Sequence, residues 1–323
     1  MELVGSETIV RKSRLDEIRL TKRNVFFRWM GFAAACLVVT IHLPYGEGSV
    51  LEGILKQGMA RGAVPWFFFA SGFWLAGRNG SAAGLKAMWL PRLRTLLVPF
   101  VVANGLWFVW AWAFNRVGVA YFHATPVFAW TFPCVVKGLG FDLARWPALV
   151  PTWYLRTLFL FVPLGWLLVR LLAFGREVGT WGLVTRSVLA AALLGGGWAA
   201  SDMARGTVRA VLDHTLPAWG LACLGGGLLV RRWCAAEGAT VDGRTGWGEV
   251  LTRNTFAIYL LHVPIMLTAS YVLRPLGMWG WTGTDWGCAL LAHVLVGASI
   301  AVAEWLRRRC PAFGRVIFGG RGF

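Results

Sequence analysis

Apolar residues along the chain are gathered into long runs separated by short polar or basic segments. Runs near the length needed to cross a bilayer as helix, about 20 residues, fall at roughly 29–45, 62–77, 95–114, 152–173, 180–199, 215–230, 254–273 and 284–306. A ninth run, 119–136, is interrupted by His123, Pro126 and Pro133. It reads as a re-entrant element, an interfacial helix or a pair of short crossings. The pattern predicts an all-α, polytopic transmembrane helix bundle of 8–10 spans.

Orientation follows from the positions of Lys and Arg between the runs. With the N-terminus inside and eight spans, 22 of the 32 basic residues fall on inside segments and 8 on outside ones, with Arg156 and Arg186 inside spans. Both termini are therefore expected to be cytoplasmic. A single extra crossing at 119–136 would move Arg307, Arg308 and Arg309 outside, so that run is expected to cross twice or not at all.

Composition agrees. Over 323 residues the chain is 57% hydrophobic and only 15% charged, with 20 Trp, and its mean hydropathy is +0.59. That excludes a cytosolic globular enzyme, a disordered tail and a fibrous repeat. The net charge of +17 would suit nucleic acid, but its placement between apolar runs assigns it to topology and to anionic membrane lipids, and no nucleic-acid partner is expected. The abundant Trp suits the headgroup level. The six cysteines show no CxxC spacing, so neither a disulfide framework nor a metal site is expected. About 24 mixed-charge residues precede the first apolar run and no A-x-A site follows it; translocation through an uncleaved first helix is expected.

Polar side chains inside spans cost roughly 2.5–3.5 kcal/mol for Arg, Lys or Asp at mid-helix, which makes them candidates for function. His42 stands near the outer end of the first run. Arg28 lies fourteen residues earlier, about 21 Å along a helix and about 40° short of whole turns. The two share a face: either they line a cavity reached from the cytoplasm, or they are a snorkelling Arg and a packed His. Ser71-Gly72 at the centre of the second run reads as a close-packing or bending site. Lys86, Arg92 and Arg94 follow it. They form either a positive-inside stop signal or an anion site for a phosphorylated cofactor. Arg156, beside Trp153 and Tyr154, is either an acceptor-holding group at a cavity mouth or an interfacial anchor. His262, with Tyr259 one turn before it, is either a packing pair or a reactive one. His293, Asp213-His214 and Glu304 read as solvated or interfacial. No GxxxxGK[ST], GxGxxG after a strand, HExxH or GxSxG is present, which leaves ATP hydrolysis, hydride transfer and zinc proteolysis without residues to stand on.

Taken in order, AAACLVVTIH ending in His42, VPWFFFASGF, PRLRTLLVPF, PTWYLRTLFL, FAIYLLHVPI around His262 and the C-terminal RVIFGGR resemble the membrane-bound acyltransferase-3 family, from about residue 23 to the end. The resemblance implies an acyltransferase domain over 25–309, flanked by a cytoplasmic basic segment, 1–24, and a cytoplasmic tail, 310–323. It implies a multi-pass protein of the bacterial cytoplasmic membrane that moves an acetyl or other short acyl group from acetyl-CoA or another acyl-CoA to a hydroxyl of a cell-surface or lipid-linked glycan. By that likeness His42 is the catalytic histidine, and Arg92 or Arg94 meets the CoA phosphates, with Arg28, Lys86 and Ser71 in the donor set. Arg156, Trp153, Tyr154, Tyr259 and His262 form the expected acceptor set. The family's first-helix arginine stands eleven residues before the histidine, where this chain has Gly31; Arg28 is three residues lower. Neutral imidazole suits the base that deprotonates a hydroxyl near pH 7, so His42 is expected to act as general base, with an acyl-histidine relay as the alternative mechanism. A polytopic transporter of a glycan precursor or small metabolite is the competing function.

Overall fold

The computed structural model describes residues 19–77, 84–116, 147, 149–174, 240–242 and 246–322. The runs 119–136, 180–199 and 215–230 and the Asp213-His214 pair lie outside the described residues. Six of the runs fall on helices: α1 (Lys22–Ile41), α2 (Ala63–Gly77), α4 (Val98–Arg116), α5 (Trp153–Phe174), α7 (Thr255–Leu273) and α8 (Asp285–Arg309). Shorter helices are α3 (Leu85–Arg92), α6 (Gly246–Arg253) and α9 (Pro311–Ile317). Among the described residues the fold is helical apart from one antiparallel pair of three-residue strands, β1 (Arg19–Thr21) and β2 (Thr240–Asp242), with Leu20 opposite Val241. That pairing brings 19–21 against 240–242.

Among the described residues, three helices are long and apolar enough to cross a membrane: Leu85–Phe114, Thr255–Leu273 and Asp285–Arg309, with Val25–Ile41 a shorter apolar helix. The first of these runs continuously from α3 into α4 through a π-helical turn, Leu93–Leu97. The cause lies in Pro99, whose ring would collide with the carbonyl four residues earlier, that of Thr95, in a regular helix; widening the turn relieves the collision.

α1 packs against α2 and α7, and α7 against α8, while α5 lies on α2 and α3, and α9 on α4. Small residues allow the closest approach: Ala34 and Ala35 of α1 are buried against this centre, where backbones come together without a side chain between them. Large apolar residues point outward instead, among them Leu106, Val109 and Trp110 of α4 and Leu290, Val294, Val302 and Trp305 of α8. An apolar outer surface over a bundle with hydrogen-bonded helices is what lipid requires.

Polar groups tie the helices, Asn104 and Glu304 among them. Asn104 of α4 is fully buried; its Nδ2 donates to Phe100 O and Thr152 Oγ1, both at 2.8 Å, and its Oδ1 accepts from Leu149 N at 2.9 Å. It fixes where the chain turns into α5. Glu304 of α8 accepts from Arg253 Nη2 and Arg307 Nη1 at 2.7 Å each and from Asn254 Nδ2 at 2.8 Å. Glu304, read from the sequence as solvated or interfacial, is partly exposed and is held between two guanidinium groups brought in by α6 and by its own helix.

Candidate active site

The first run is expected to stay helical to residue 45, but α1 ends at Ile41. Pro44 cannot continue a helix and biases Leu43 away from it. His42 therefore sits in the turn after the helix, its N–H donating to Val39 O at 3.1 Å. Its ring lies against that of His262, with centroids 5.2 Å apart and planes at 44°. His262 is wholly buried and its Nδ1 is 2.9 Å from Ile258 O. A carbonyl can only accept, so Nδ1 carries the proton and Nε2 the lone pair. That Nε2 is buried without a hydrogen-bond partner among the described residues.

At the other end of α1, Arg28 lines a cavity of about 680 Å³. Its walls come from Ser71 and Trp74 of α2, Arg92, Thr95 and Leu96 around the π turn, Tyr154 and Leu158 of α5, Arg253 of α6, and Phe256 and Tyr259 of α7, with Gly319 to Gly322 of the C-terminal tail. Four arginines, Arg28, Arg92, Arg253 and Arg321, line it and no Asp or Glu does among the described residues. Such a cavity concentrates anions. Arg92 donates from Nη1 to Met88 O at 2.8 Å, which holds its side chain back along α3. Burial pulls Arg321 down to about 10, against the opposing influence of Tyr154, which leaves it cationic at neutral pH.

The cavity ends on three aromatic rings. Phe67, Tyr154 and Tyr259 all line it, and their centroids are 5.8, 6.1 and 5.9 Å apart pairwise. Tyr154 is held by its hydroxyl, 3.0 Å from Ser71 Oγ and donating to Phe67 O at 3.1 Å; the Tyr259 hydroxyl donates to Pro151 O. His42 and His262 are not among the lining residues. His262 is one turn past Tyr259 on α7, so the aromatic triangle stands between the arginine-lined space and the histidine pair.

Of the expected donor residues, Arg28, Ser71 and Arg92 meet in this cavity. Lys86 lies elsewhere, in a shallow cleft with Trp89 and Leu93, and Arg94 is exposed and lines neither. Of the expected acceptor residues, Tyr154 and Tyr259 line the same cavity as the donor set, so position does not separate the two groups. Trp153 packs on Phe68 with centroids 6.3 Å apart. Arg156 is only 6% exposed, which sets aside the interfacial-anchor reading, since an anchor keeps its charged head in the headgroup layer. Sequence reasoning missed Arg253 and Arg321 as cavity residues. For Arg321 the RVIFGGR ending was a signal; for Arg253 the position at a helix end read only as an inside charge. Among the described residues no group of three His, Cys, Asp or Glu could hold a metal ion.

Residues 24–173 match the acyltransferase domain of the acyltransferase-3 family. The match spans just under half of the chain, and over that segment the chain is similar to the family. The chain therefore combines helices long and apolar enough to cross a membrane with a segment similar to an acyltransferase domain. Neither curated proteins nor solved structures give a match to it. The matched segment supplies His42, Arg28, Ser71, Arg92 and Tyr154. Arg253, Phe256, Tyr259, His262 and Arg321 come from beyond it, so the acyltransferase domain shares its cavity with the C-terminal helices and tail.

Proposed function

We propose that the chain transfers an acetyl or other short acyl group from acyl-CoA to a hydroxyl of a cell-surface or lipid-linked glycan. The arginine end of the bundle faces the cytoplasm, as the distribution of Lys and Arg requires, and the histidine pair faces the far side. The observation that carries this reading is a cavity with four arginines at one end of α1 and, at the other, a histidine pair whose His262 is buried and fixed in tautomer, within and next to a segment similar to the acyltransferase-3 domain.

The division of labour follows from charge. Coenzyme A is too anionic to enter lipid, and guanidinium groups bind phosphate through two parallel N–H donors; the arginine cavity holds that part. The uncharged pantetheine arm extends past Ser71 and the aromatic triangle toward His42. His42 takes the proton of the acceptor hydroxyl as its oxygen attacks the thioester carbonyl carbon. The carbon–sulfur bond breaks, the thiolate leaves, and His42 returns the proton to it, giving free CoA and the ester. His262 contributes a lone pair at Nε2, which accepts a hydrogen bond from the acceptor's hydroxyl groups or from His42 and orients them.

Binding of radiolabelled acetyl-CoA to the purified protein tests the donor. Saturable binding supports the reading; a transporter of some other solute would ignore this ligand, and no binding would overturn the donor assignment. Mass spectrometry of surface glycans and lipids from a deletion strain then identifies the acceptor as the species that loses an acetyl group.

A further inference from the structure

We propose that Arg321, presented by the C-terminal tail Gly319-Gly320-Arg321-Gly322, is a phosphate ligand for the acyl donor and closes the donor cavity from outside the family domain. This rests on the reading of the cavity as a CoA site.

Three observations carry it. First, Arg321 enters the cavity with hydrogen-bonding capacity unspent: its Nη1 is buried and has no partner among the described residues. Its guanidinium lies 4.1 Å from the Phe256 ring centroid, and a guanidinium stacked on a ring keeps its N–H edge available for a planar fork of donors. Arg253 is otherwise engaged, its Nε and Nη2 given to Glu304 at 3.0 and 2.7 Å, and Arg92 spends a donor on Met88 O. A buried cation with an unsatisfied N–H and no carboxylate in the cavity lining is costly unless an anion completes it.

Second, the tail is seated on the cavity wall by glycines that nothing else could replace. Gly319 has φ +60°, and a Cβ there would lie 2.8 Å from Thr95 O and 2.9 Å from Thr95 Cα, on the π turn itself. Gly322 has φ +74°, and its Cβ would lie 2.7 Å from Arg307 Nη2 and 3.1 Å from Arg253 O. Both need a left-handed backbone and bare space on the tail. They press Arg321 between the π turn and the Arg253–Glu304–Arg307 cluster.

Third, the tail has an anchored base. Phe318 is 1% exposed, and the backbone turns back on itself through Gly320 N to Arg315 O at 2.8 Å and Arg321 N to Phe318 O at 3.1 Å. Arg321 is thus held by a built turn and not by a loose end.

The test is equilibrium binding of CoA, dephospho-CoA and pantetheine to the full-length protein in lipid nanodiscs, with wild type, Arg321→Ala, Arg321→Lys and Gly319→Ala. Arg321→Ala is expected to weaken CoA about tenfold, about 1.4 kcal/mol, while pantetheine, which has no phosphate, binds both proteins equally. Arg321→Lys should recover part of the loss, because the charge remains and the fork does not. Gly319→Ala should mimic Arg321→Ala by lifting the tail off Thr95. The proposal is overturned if Arg321→Ala binds CoA as wild type does, or if CoA and pantetheine weaken together, which would mark a merely structural wall. A wild-type protein that binds none of the three ligands overturns the donor reading and this inference with it; wild-type binding of CoA with no response to Arg321 overturns this inference alone.

Discussion

His42 and His262 come from the turn after α1 and the middle of α7, more than two hundred residues apart in sequence, and their rings lie 5.2 Å centroid to centroid. Ile258 O fixes the His262 tautomer so that its Nε2 lone pair is left for His42 or a substrate. Replacing His262 with Phe keeps the ring's place and removes both nitrogens. The expected outcome is a fall in kcat of about 10- to 100-fold with acyl-CoA affinity unchanged. A loss of donor affinity with normal kcat would place His262 in the donor site and contradict this account.

On the proposed path the acyl chain passes the aromatic triangle on its way to the histidines. Phe67→Ala removes one of its three rings, so the kcat/KM for a butyryl donor relative to an acetyl donor should rise severalfold. An unchanged ratio would show that the acyl chain does not pass between Phe67, Tyr154 and Tyr259.

Buried Asn104 makes three hydrogen bonds, two of which join α4 to the start of α5, at Leu149 and Thr152. Asn104→Leu is expected to cost about 1–3 kcal/mol, since it leaves the Leu149 N–H without its partner in the core, while the Thr152 hydroxyl still donates to Leu149 O. A thermal unfolding scan in detergent reads this as a lowered Tm; an unchanged Tm would show that the buried bonds contribute little.

Glu304 offsets two arginines behind the cavity. In Glu304→Gln both Arg253 and Arg307 lose their counter-charge, so the cavity becomes more cationic while the α6–α8 junction weakens. CoA binding should become steeper in its dependence on salt, and Tm should drop. Unchanged salt dependence would mean that Arg253 does not sense the donor.

The helices were legible in sequence because lipid demands long apolar runs, and the six runs that fall on described residues match helices to within a few residues at most ends, with α1 the largest shift. It ends early, at Ile41, because Pro44 outweighs the apolar composition of the run, and it starts at Lys22, taking in basic residues that precede the run. Arg28, Ser71 and Arg92, grouped together from the sequence, line one cavity, although Lys86 and Arg94, equally basic and close in sequence, turn away from it: charge alone does not say which side of a helix faces inward. The aromatic floor was not legible as such, because Phe67, Tyr154 and Tyr259 meet only through the packing of three helices. The Glu304 cluster was hidden for a similar reason. A lone carboxylate near a helix end reads as solvated until α6 brings Arg253 to it. The His42–His262 contact is likewise a property of α1 packing on α7.

The central claim is that His42 performs the proton transfer. In a deletion strain complemented with wild type or His42→Ala, labelled acetyl transfer to surface glycan should fall by roughly 10²–10⁴-fold in the variant, with membrane insertion and CoA binding unchanged. A His42→Ala protein that inserts normally and transfers acetyl at the wild-type rate would contradict the account.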